Sequence, residues 1–204
     1  DTLQATLMSG QVVILDAALY IDPNVPILGC MNPLASNYNP NANTSIEYGG
    51  EADNTFGSGS YFYYNQHLVF DASTDLVIKS AEFYAEDPNT VTFELRNSNG
   101  AIIDDTTHAL VQGQQQLSLN FEVPIGTNME LGISNGNSGL YRNNNGAVYP
   151  YNIGSIMSIT GNSANEPGYY YFYYNIEVEV PCEDISPTTI LDIHKSPKKL
   201  LKII

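Results

Sequence analysis

The chain has 204 residues, of which 43% are hydrophobic, so it can bury one sizeable core. Its 22 acidic residues face only 7 basic ones, and four of the basic residues lie in the last ten positions, which leaves residues 1–194 with a formal charge of 3 − 22 = −19. Such a negative charge excludes nucleic-acid binding, because it repels the phosphate backbone. The chain also has no apolar run of the roughly 20 residues that a membrane-spanning helix needs, so we expect no membrane insertion.

The N-terminal segment, residues 1–28, contains the apolar stretch QVVIL and then two prolines. This pattern is typical of the end of one unit followed by a linker. The chain begins at Asp1 without a start methionine or a signal peptide, so we expect it to be a piece of a longer or processed protein.

Residues 29–53 form a separate turn-rich segment that begins GCMNPLASNYNPNANTSIEYGG. It resembles a short Asp/Asn-rich repeat of secreted proteins from marine Bacteroidetes, of the form G-C-x-D-P-x-A-x-N-Y-N-P-x-A-x-x-D-D-G-S-C. The matching positions are Gly29, Cys30, Pro33, Ala35, Asn37, Tyr38, Asn39, Pro40 and Ala42. The resemblance implies a compact loop that holds Ca²⁺ through closely spaced oxygen ligands.

This copy of the repeat departs from the usual form. Asn32 stands where an aspartate is usual, residues 47–50 replace the D-D-G-S region, and the closing cysteine is missing. Fewer carboxylates predict a weaker site, so an Asn/Pro-rich linker without metal is the alternative. The candidate Ca²⁺ ligands are Asn37, Asn39, Asn41, Asn43, Glu47, Glu51 and Asp53.

The body of the chain, residues 54–182, shows the two-residue alternation of β-strands. In TVTFELR, Val91, Phe93 and Leu95 take one face and polar residues take the other, and the same pattern recurs in QLSLNFEVP and NMELGIS. Gly/Asn/Pro-rich turns separate about eight or nine such strands, and no amphipathic helix interrupts them. We therefore predict an all-β protein, an antiparallel β-sandwich that is jelly-roll-like, with irregular N-terminal and C-terminal segments.

The stretch GYYYFYYNIEVEV carries five tyrosines between residues 169 and 174. Because burying Glu177 and Glu179 would be prohibitive, alternation predicts that the even positions face the core. Alternation in SYFYYNQHLVFDA likewise predicts Phe62, Tyr64, Leu68 and Phe70 inward, with Asn65 and His67 on the outer face. The tyrosines predicted to face outward on these two strands are Tyr61, Tyr63, Tyr169, Tyr171 and Tyr173.

If these two strands pair, the outward tyrosines form one patch that suits the flat apolar faces of sugars. A scaffold role is the alternative, because cross-strand aromatic pairs also stabilise an exposed sheet face. A second candidate binding surface is the loop GLYRNNNGAVYPYN, which combines rings, amides and a rare cation. Its residues are Tyr141, Arg142, Asn143, Asn144, Asn145, Tyr149 and Tyr151, and Arg142 could instead pair with a nearby acid.

The two cysteines flank the predicted sandwich, since Cys30 precedes its first strand and Cys182 follows its last. Neighbouring first and last strands would bring them together, and a disulfide would close a loop of roughly 150 residues and stabilise the fold by roughly 4–5 kcal/mol. Two free buried thiols are the alternative.

No arrangement typical of catalysis occurs in the sequence, so we expect no enzyme. His67, His108 and His194 lie far apart without metal-ligand spacing and are predicted surface residues, and no pattern singles out a pair of carboxylates or an activated nucleophile. Candidate catalytic residues are therefore none.

Residues 183–204 form a Pro/Ser/Thr-rich spacer that runs into the tail PKKLLKII. This tail resembles the opening strand of the C-terminal sorting domain of type IX secretion substrates, although the chain stops before the D-x-L-G-R-E continuation. A solubilising end is the alternative. The body, from YFYYNQHLVF to GYYYFYYNIEV, resembles a β-sandwich accessory module of secreted Bacteroidetes proteins, a resemblance that carries over no catalytic residues.

Together these resemblances imply a secreted or cell-surface module of a larger protein. The outward tyrosines and the Asn-rich loops lead us to expect that it binds carbohydrate or mediates adhesion. Its expected partners are a polysaccharide or surface glycan, neighbouring modules of the same protein, and the secretion machinery through the tail. Two alternatives are a structural stalk or filament unit and an accessory domain of a secreted hydrolase.

Overall fold

A computed structural model describes residues 25–134 and 138–183 of the chain. The predicted preceding unit, residues 1–28, therefore lies largely outside the described residues. The predicted sorting tail and His194 lie wholly outside them. The described part contains thirteen β-strands and no helix. In chain order they are β1 Ile46–Gly49, β2 Gly59–Phe62, β3 Leu68–Ala72, β4 Leu76–Ala85, β5 Asn89–Arg96, β6 Ile102–Leu110, β7 Gly113–Val123, β8 Gly126–Ile133, β9 Leu140–Asn143, β10 Tyr151–Ile153, β11 Met157–Asn162, β12 Tyr170–Tyr171 and β13 Tyr174–Glu179.

The strands form two antiparallel sheets. One sheet has seven strands in the order β1-β13-β4-β9-β12, with β2 also pairing to β9 and β7 to β4. The other has six strands in the order β10-β11-β3-β8-β5-β6. This arrangement confirms the predicted antiparallel β-sandwich, with more strands than the sequence suggested, because strands of two to four residues are too short to display alternation.

The core lies between the two sheets and is built from the alternating strands. Val91, Phe93 and Leu95 are buried as predicted, and so are the inward positions of β8, Met129, Leu131 and Ile133. Burying one such side chain completely contributes about 1.5–3 kcal/mol, so the long alternating strands supply much of the driving force for folding.

One polar residue of β5 is buried against expectation from its alternation. Glu94 is only 2% exposed, and its Oε2 accepts a hydrogen bond of 2.5 Å from Nη2 of Arg96. The pairing balances a carboxylate that would otherwise be too costly to bury.

The prediction that His67 lies on the surface is wrong. His67 is 7% exposed, and its ring packs so closely on β8 that a Cβ at Gly132 would lie 1.8 Å from its Cδ2 atom. Burial first, and then the charge of Arg96, lowers the pKa of His67 from 6.5 to about 4, although its Nδ1 lies 3.7 Å from Oε2 of Glu130. His67 is therefore neutral at physiological pH, and its Nε2 is buried without a partner.

The predicted disulfide between Cys30 and Cys182 is confirmed. The first strand, β1, pairs with the last strand, β13, and the two cysteine Cα atoms lie 5.0 Å apart. The side chain of Asn37 adds two hydrogen bonds across the same corner, donating to the carbonyl of Pro181 at 2.9 Å and accepting from the amide of Glu183 at 3.0 Å. The turn-rich segment is thus tied to the end of the sandwich by a covalent bond and by hydrogen bonds.

Candidate functional site

An arginine surrounded by aromatic rings lies where three short strands meet. Arg142 belongs to β9, which pairs with β2 along its whole length and with β12 at one end. The register places Arg142 opposite Ser60 of β2 and opposite Tyr171 of β12. Because strand residues alternate between faces, Phe62 lies on the same face as Ser60 and so comes within reach of Arg142.

The guanidinium group of Arg142 stacks on these rings. Its Cζ atom lies 4.0 Å from the centre of the Phe62 ring, 4.6 Å from that of Tyr169 and 5.6 Å from that of Tyr171. Nη1 of Arg142 also donates a hydrogen bond of 3.0 Å to the hydroxyl of Tyr171. Each cation–π contact is worth about 0.5–2 kcal/mol, so the rings hold the guanidinium in one orientation.

A fifth side chain, that of Tyr64, extends this cluster of rings to the solvent. Tyr64 is 69% exposed, and its ring centre lies 5.4 Å from that of Phe62. Phe62, Arg142 and Tyr169 are partly exposed, whereas Tyr171 is buried. We call these five residues the Arg142 patch, which combines one cation with aromatic surface open to solvent.

Burial raises the pKa of the Tyr171 hydroxyl, and the hydrogen bond and charge of Arg142 oppose this effect. The charge of Glu166 acts on Tyr171 in the opposite sense to that of Arg142. Tyr171 therefore remains protonated at physiological pH, and its hydroxyl accepts from the arginine while keeping its own proton to donate.

The prediction that Tyr171 and Tyr173 face outward is wrong, because residues 169–174 do not form one continuous strand. Phe172, which lies between β12 and β13, has φ of 64°, a value that interrupts the extended backbone and separates the two strands. Asn175, near the start of β13, has φ of 43°. All residues from 170 to 174 are buried, and the hydroxyl of Tyr173 donates a 2.5 Å hydrogen bond to the carbonyl of Gly132 in the opposite sheet. Only Tyr169 of the predicted outward set in this stretch is partly exposed.

The expected pairing between the two tyrosine-rich strands is also absent among the described residues. Strand β2 pairs with β9, so Tyr61 meets Tyr141 edge to face with ring centres 5.4 Å apart. Tyr63 is exposed, as predicted, and its hydroxyl donates to Glu86. Tyr64, predicted to face inward, is instead exposed, because β2 ends at Phe62 and the chain crosses to the other sheet before β3 begins.

Most of the second predicted surface, residues 139–152, has a structural role. Asn143 is fully buried, where its Nδ2 donates to the carbonyls of Asn54 and Gly57 at 3.0 and 3.2 Å. Oδ1 of Asn145 accepts from the amide of Ser58 at 2.7 Å, whereas the buried Oδ1 of Asn144 has no partner in the described chain. This loop therefore holds residues 54–58 against the seven-stranded sheet.

Tyr149 and Tyr151 flank the buried ring of Tyr170. Their ring centres lie 6.4 and 5.4 Å from that of Tyr170, and the hydroxyl of Tyr149 donates to the carbonyl of Tyr169 at 2.6 Å. The hydroxyl of Tyr151 donates to Oε1 of Glu51 at 2.5 Å. Both tyrosines thus pack against the ring of Tyr170 and have a structural role.

The candidate Ca²⁺ ligands are spread along the turns of residues 37–53. Several of their oxygens already accept hydrogen bonds from the backbone: Oδ1 of Asn39 from Asn41 at 3.0 Å, Oδ1 of Asn43 from Ile27 at 2.8 Å and Oδ1 of Asp53 from Thr55 at 2.7 Å. The bonds to Thr55 lower the pKa of Asp53. The described residues contain no group of three or more His, Cys, Asp or Glu that could hold a metal ion, and Ca²⁺ binding stays a prediction.

The chain matches no protein-family model, no curated protein and no solved structure at a significant level. Within residues 25–134 and 138–183, no helix is long and apolar enough to cross a membrane.

Proposed function

We propose that this β-sandwich is a non-catalytic extracellular module that binds glycans through the Arg142 patch. The observation that carries the proposal is the exposed ring of Tyr64, which lies beside the half-buried Phe62 and the guanidinium of Arg142. Sugar rings have flat apolar faces that pack on aromatic side chains, while their hydroxyls require donors such as a guanidinium.

The patch is also held in place before any ligand arrives. Its side chains stand on β2, β9 and β12 and around them, and the stacking on Arg142 limits the rotamers that they can adopt. Binding to an ordered surface loses less conformational entropy than binding that must first order side chains. This makes the Arg142 patch better suited to a ligand than the predicted outward row of tyrosines.

The disulfide supports an extracellular location, because disulfides persist in oxidising compartments and are rare in the cytosol. We extend this to secretion by the type IX route, on the resemblance of the tail PKKLLKII to a sorting domain, and to a place in a larger exported protein. Neighbouring modules of that protein are further proposed partners.

A glycan array followed by sedimentation with insoluble polysaccharides tests the proposal. The wild-type chain should bind at least one polysaccharide, and Tyr64→Ala should weaken that binding by about fivefold to tenfold, because one stacked aromatic contact is worth about 1–1.5 kcal/mol. Tyr38→Ala is the matched control, since Tyr38 is also an exposed tyrosine but lies beside Cys30. Absence of binding at millimolar sugar, or equal losses of affinity in the two variants, would contradict the proposal.

A further inference from the structure

We infer that the Arg142 patch selects sugars that carry an anionic group, a carboxylate or a sulfate. This inference rests on the proposed glycan-binding function and adds the class of ligand. The described residues include three basic side chains, those of Lys79, Arg96 and Arg142.

Two of these three cations are paired with acids. Nζ of Lys79 lies 3.3 Å from Oε2 of Glu179, and Nη2 of Arg96 lies 2.5 Å from Oε2 of Glu94. Arg142 forms no ion pair with any described carboxylate, although the chain has 22 acidic residues. Its charge is therefore surrounded by rings, which attract a cation without neutralising it.

The donors of Arg142 are only partly used. Nη1 donates to the Tyr171 hydroxyl at 3.0 Å, and Nε is buried without a partner. Nη2 has no hydrogen-bond partner in the described chain, and it is not among the buried polar atoms that lack one. The outer edge of the guanidinium, formed by Nη1 and Nη2, is thus the edge that can meet a ligand.

This edge suits an anion better than a neutral hydroxyl. A carboxylate or sulfate can accept two parallel hydrogen bonds from the guanidinium and adds the attraction between opposite charges, neither of which a single neutral hydroxyl offers. Stacking on Phe62 and Tyr169 removes part of the entropy cost of holding the guanidinium in place. Repulsion from the remote acids of the chain is screened beyond about 8 Å at physiological ionic strength. Among the described acids, Glu166 is the one whose charge acts on Tyr171 of the patch.

The test compares sugars that differ only in charge. Isothermal titration uses an oligogalacturonide and its fully methyl-esterified form as the carboxylate pair, and an oligosaccharide from a sulfated galactan with its desulfated form as the sulfate pair. Wild type should bind the charged member of at least one pair about tenfold more tightly, and Glu166→Gln should increase this preference because it removes a nearby negative charge.

Arg142→Gln should reduce the preference to about one, while Tyr64→Ala should weaken both members of the pair equally and leave the preference unchanged. The wild-type comparison needs no variant, so it stands even if Arg142→Gln fails to fold, and melting curves identify that case. Equal binding of charged and neutral sugars by wild type would overturn the inference and leave the proposed function in place. Binding of neither member of either pair would overturn the inference, and absence of binding on the glycan array would overturn the proposed function as well.

A peptide of glutamate residues tests whether the Arg142 patch binds sugars or acidic segments of other proteins. We expect it to bind at least tenfold more weakly than the charged oligosaccharide, because it offers no flat apolar ring face to Phe62 and Tyr64. Equal affinity for the peptide would overturn the assignment to a sugar and indicate that the patch docks an acidic segment of another protein.

Discussion

The hydroxyl of Tyr174 donates a 2.7 Å hydrogen bond to Oδ1 of Asn143, a side chain that is itself fully buried. Nδ2 of Asn143 also donates hydrogen bonds to the carbonyls of Asn54 and Gly57. One side-chain amide thus connects β9, β13 and the segment of residues 54–58. A residue that the sequence suggested as a sugar ligand is thus an interior cross-link.

Replacing this amide should destabilise the fold. Asn143→Ala leaves the Tyr174 hydroxyl and two carbonyls without their partner, and we expect the free energy of unfolding in urea to fall by about 2–4 kcal/mol. Asn144→Ala is the matched control: it removes an oxygen that is buried without a partner, and it should cost less than about 0.5 kcal/mol. Similar losses in the two variants would contradict the structural role of Asn143.

Reduction of the disulfide should lower stability strongly, because the bond joins residues 152 positions apart. Polymer theory predicts a loss of roughly 4–5 kcal/mol for a loop of this length. Urea unfolding of wild type with and without a reducing agent, and of the Cys30→Ser/Cys182→Ser double variant, measures it. A midpoint that does not change would show that the hydrogen bonds across this corner, those of Asn37 among them, secure it without the disulfide.

Stability should depend on pH through His67. The folded pKa of about 4 lies below the unfolded value of 6.5, so between these values the unfolded chain binds the proton and the folded chain does not. This contribution to stability is complete above about pH 7 and is lost as the pH falls, by about 2 kcal/mol at pH 5. The carboxylates titrate as well, so the readout is the difference between wild type and His67→Gln at pH 7.5 and pH 5, which should shrink by that amount. A constant difference would contradict the buried neutral histidine.

The ion pair between the buried Glu94 and the partly buried Arg96 leads to a separate prediction. Arg96→Met keeps much of the side-chain bulk but leaves the carboxylate of Glu94 buried without its partner, and it should cost about 3–5 kcal/mol. The double variant Glu94→Gln/Arg96→Met should recover part of this loss, because no unpaired charge remains. Urea unfolding of the three chains measures both effects, and an Arg96→Met variant as stable as wild type would mean that the pair contributes little.

Long strands could be predicted from the sequence because their apolar residues recur at every second position. Val91, Phe93 and Leu95 show this, and so does the disulfide, which follows from the pairing of the first and last strands. Alternation failed where the backbone leaves the extended region. The left-handed φ of Phe172 is carried by a bulky residue, and no glycine marks it in the sequence, so the sides taken by Tyr171 and Tyr173 were inverted.

The Arg142 patch could be predicted only in part. The sequence identified Arg142, Tyr169 and Tyr171 as candidates, but it left open whether the arginine pairs with an acid. The stacking depends on β9 lying beside both β2 and β12, and β9 and β12 have only four and two residues. Strands this short show no hydrophobic periodicity in the sequence. The crossing between the sheets that exposes Tyr64 has no periodic pattern either.

The corner formed by Cys30 and Cys182 also decides how the body would respond to mechanical tension. A force applied to the chain on both sides of the body passes from Cys30 to Cys182 through the disulfide, over 5.0 Å between Cα atoms, and bypasses the sheets. In single-molecule pulling, the intact protein should therefore extend little, whereas the reduced protein should release about 500 Å of chain when the sandwich opens. The Arg142 patch would stay folded on a chain under load for as long as this one bond remains oxidised.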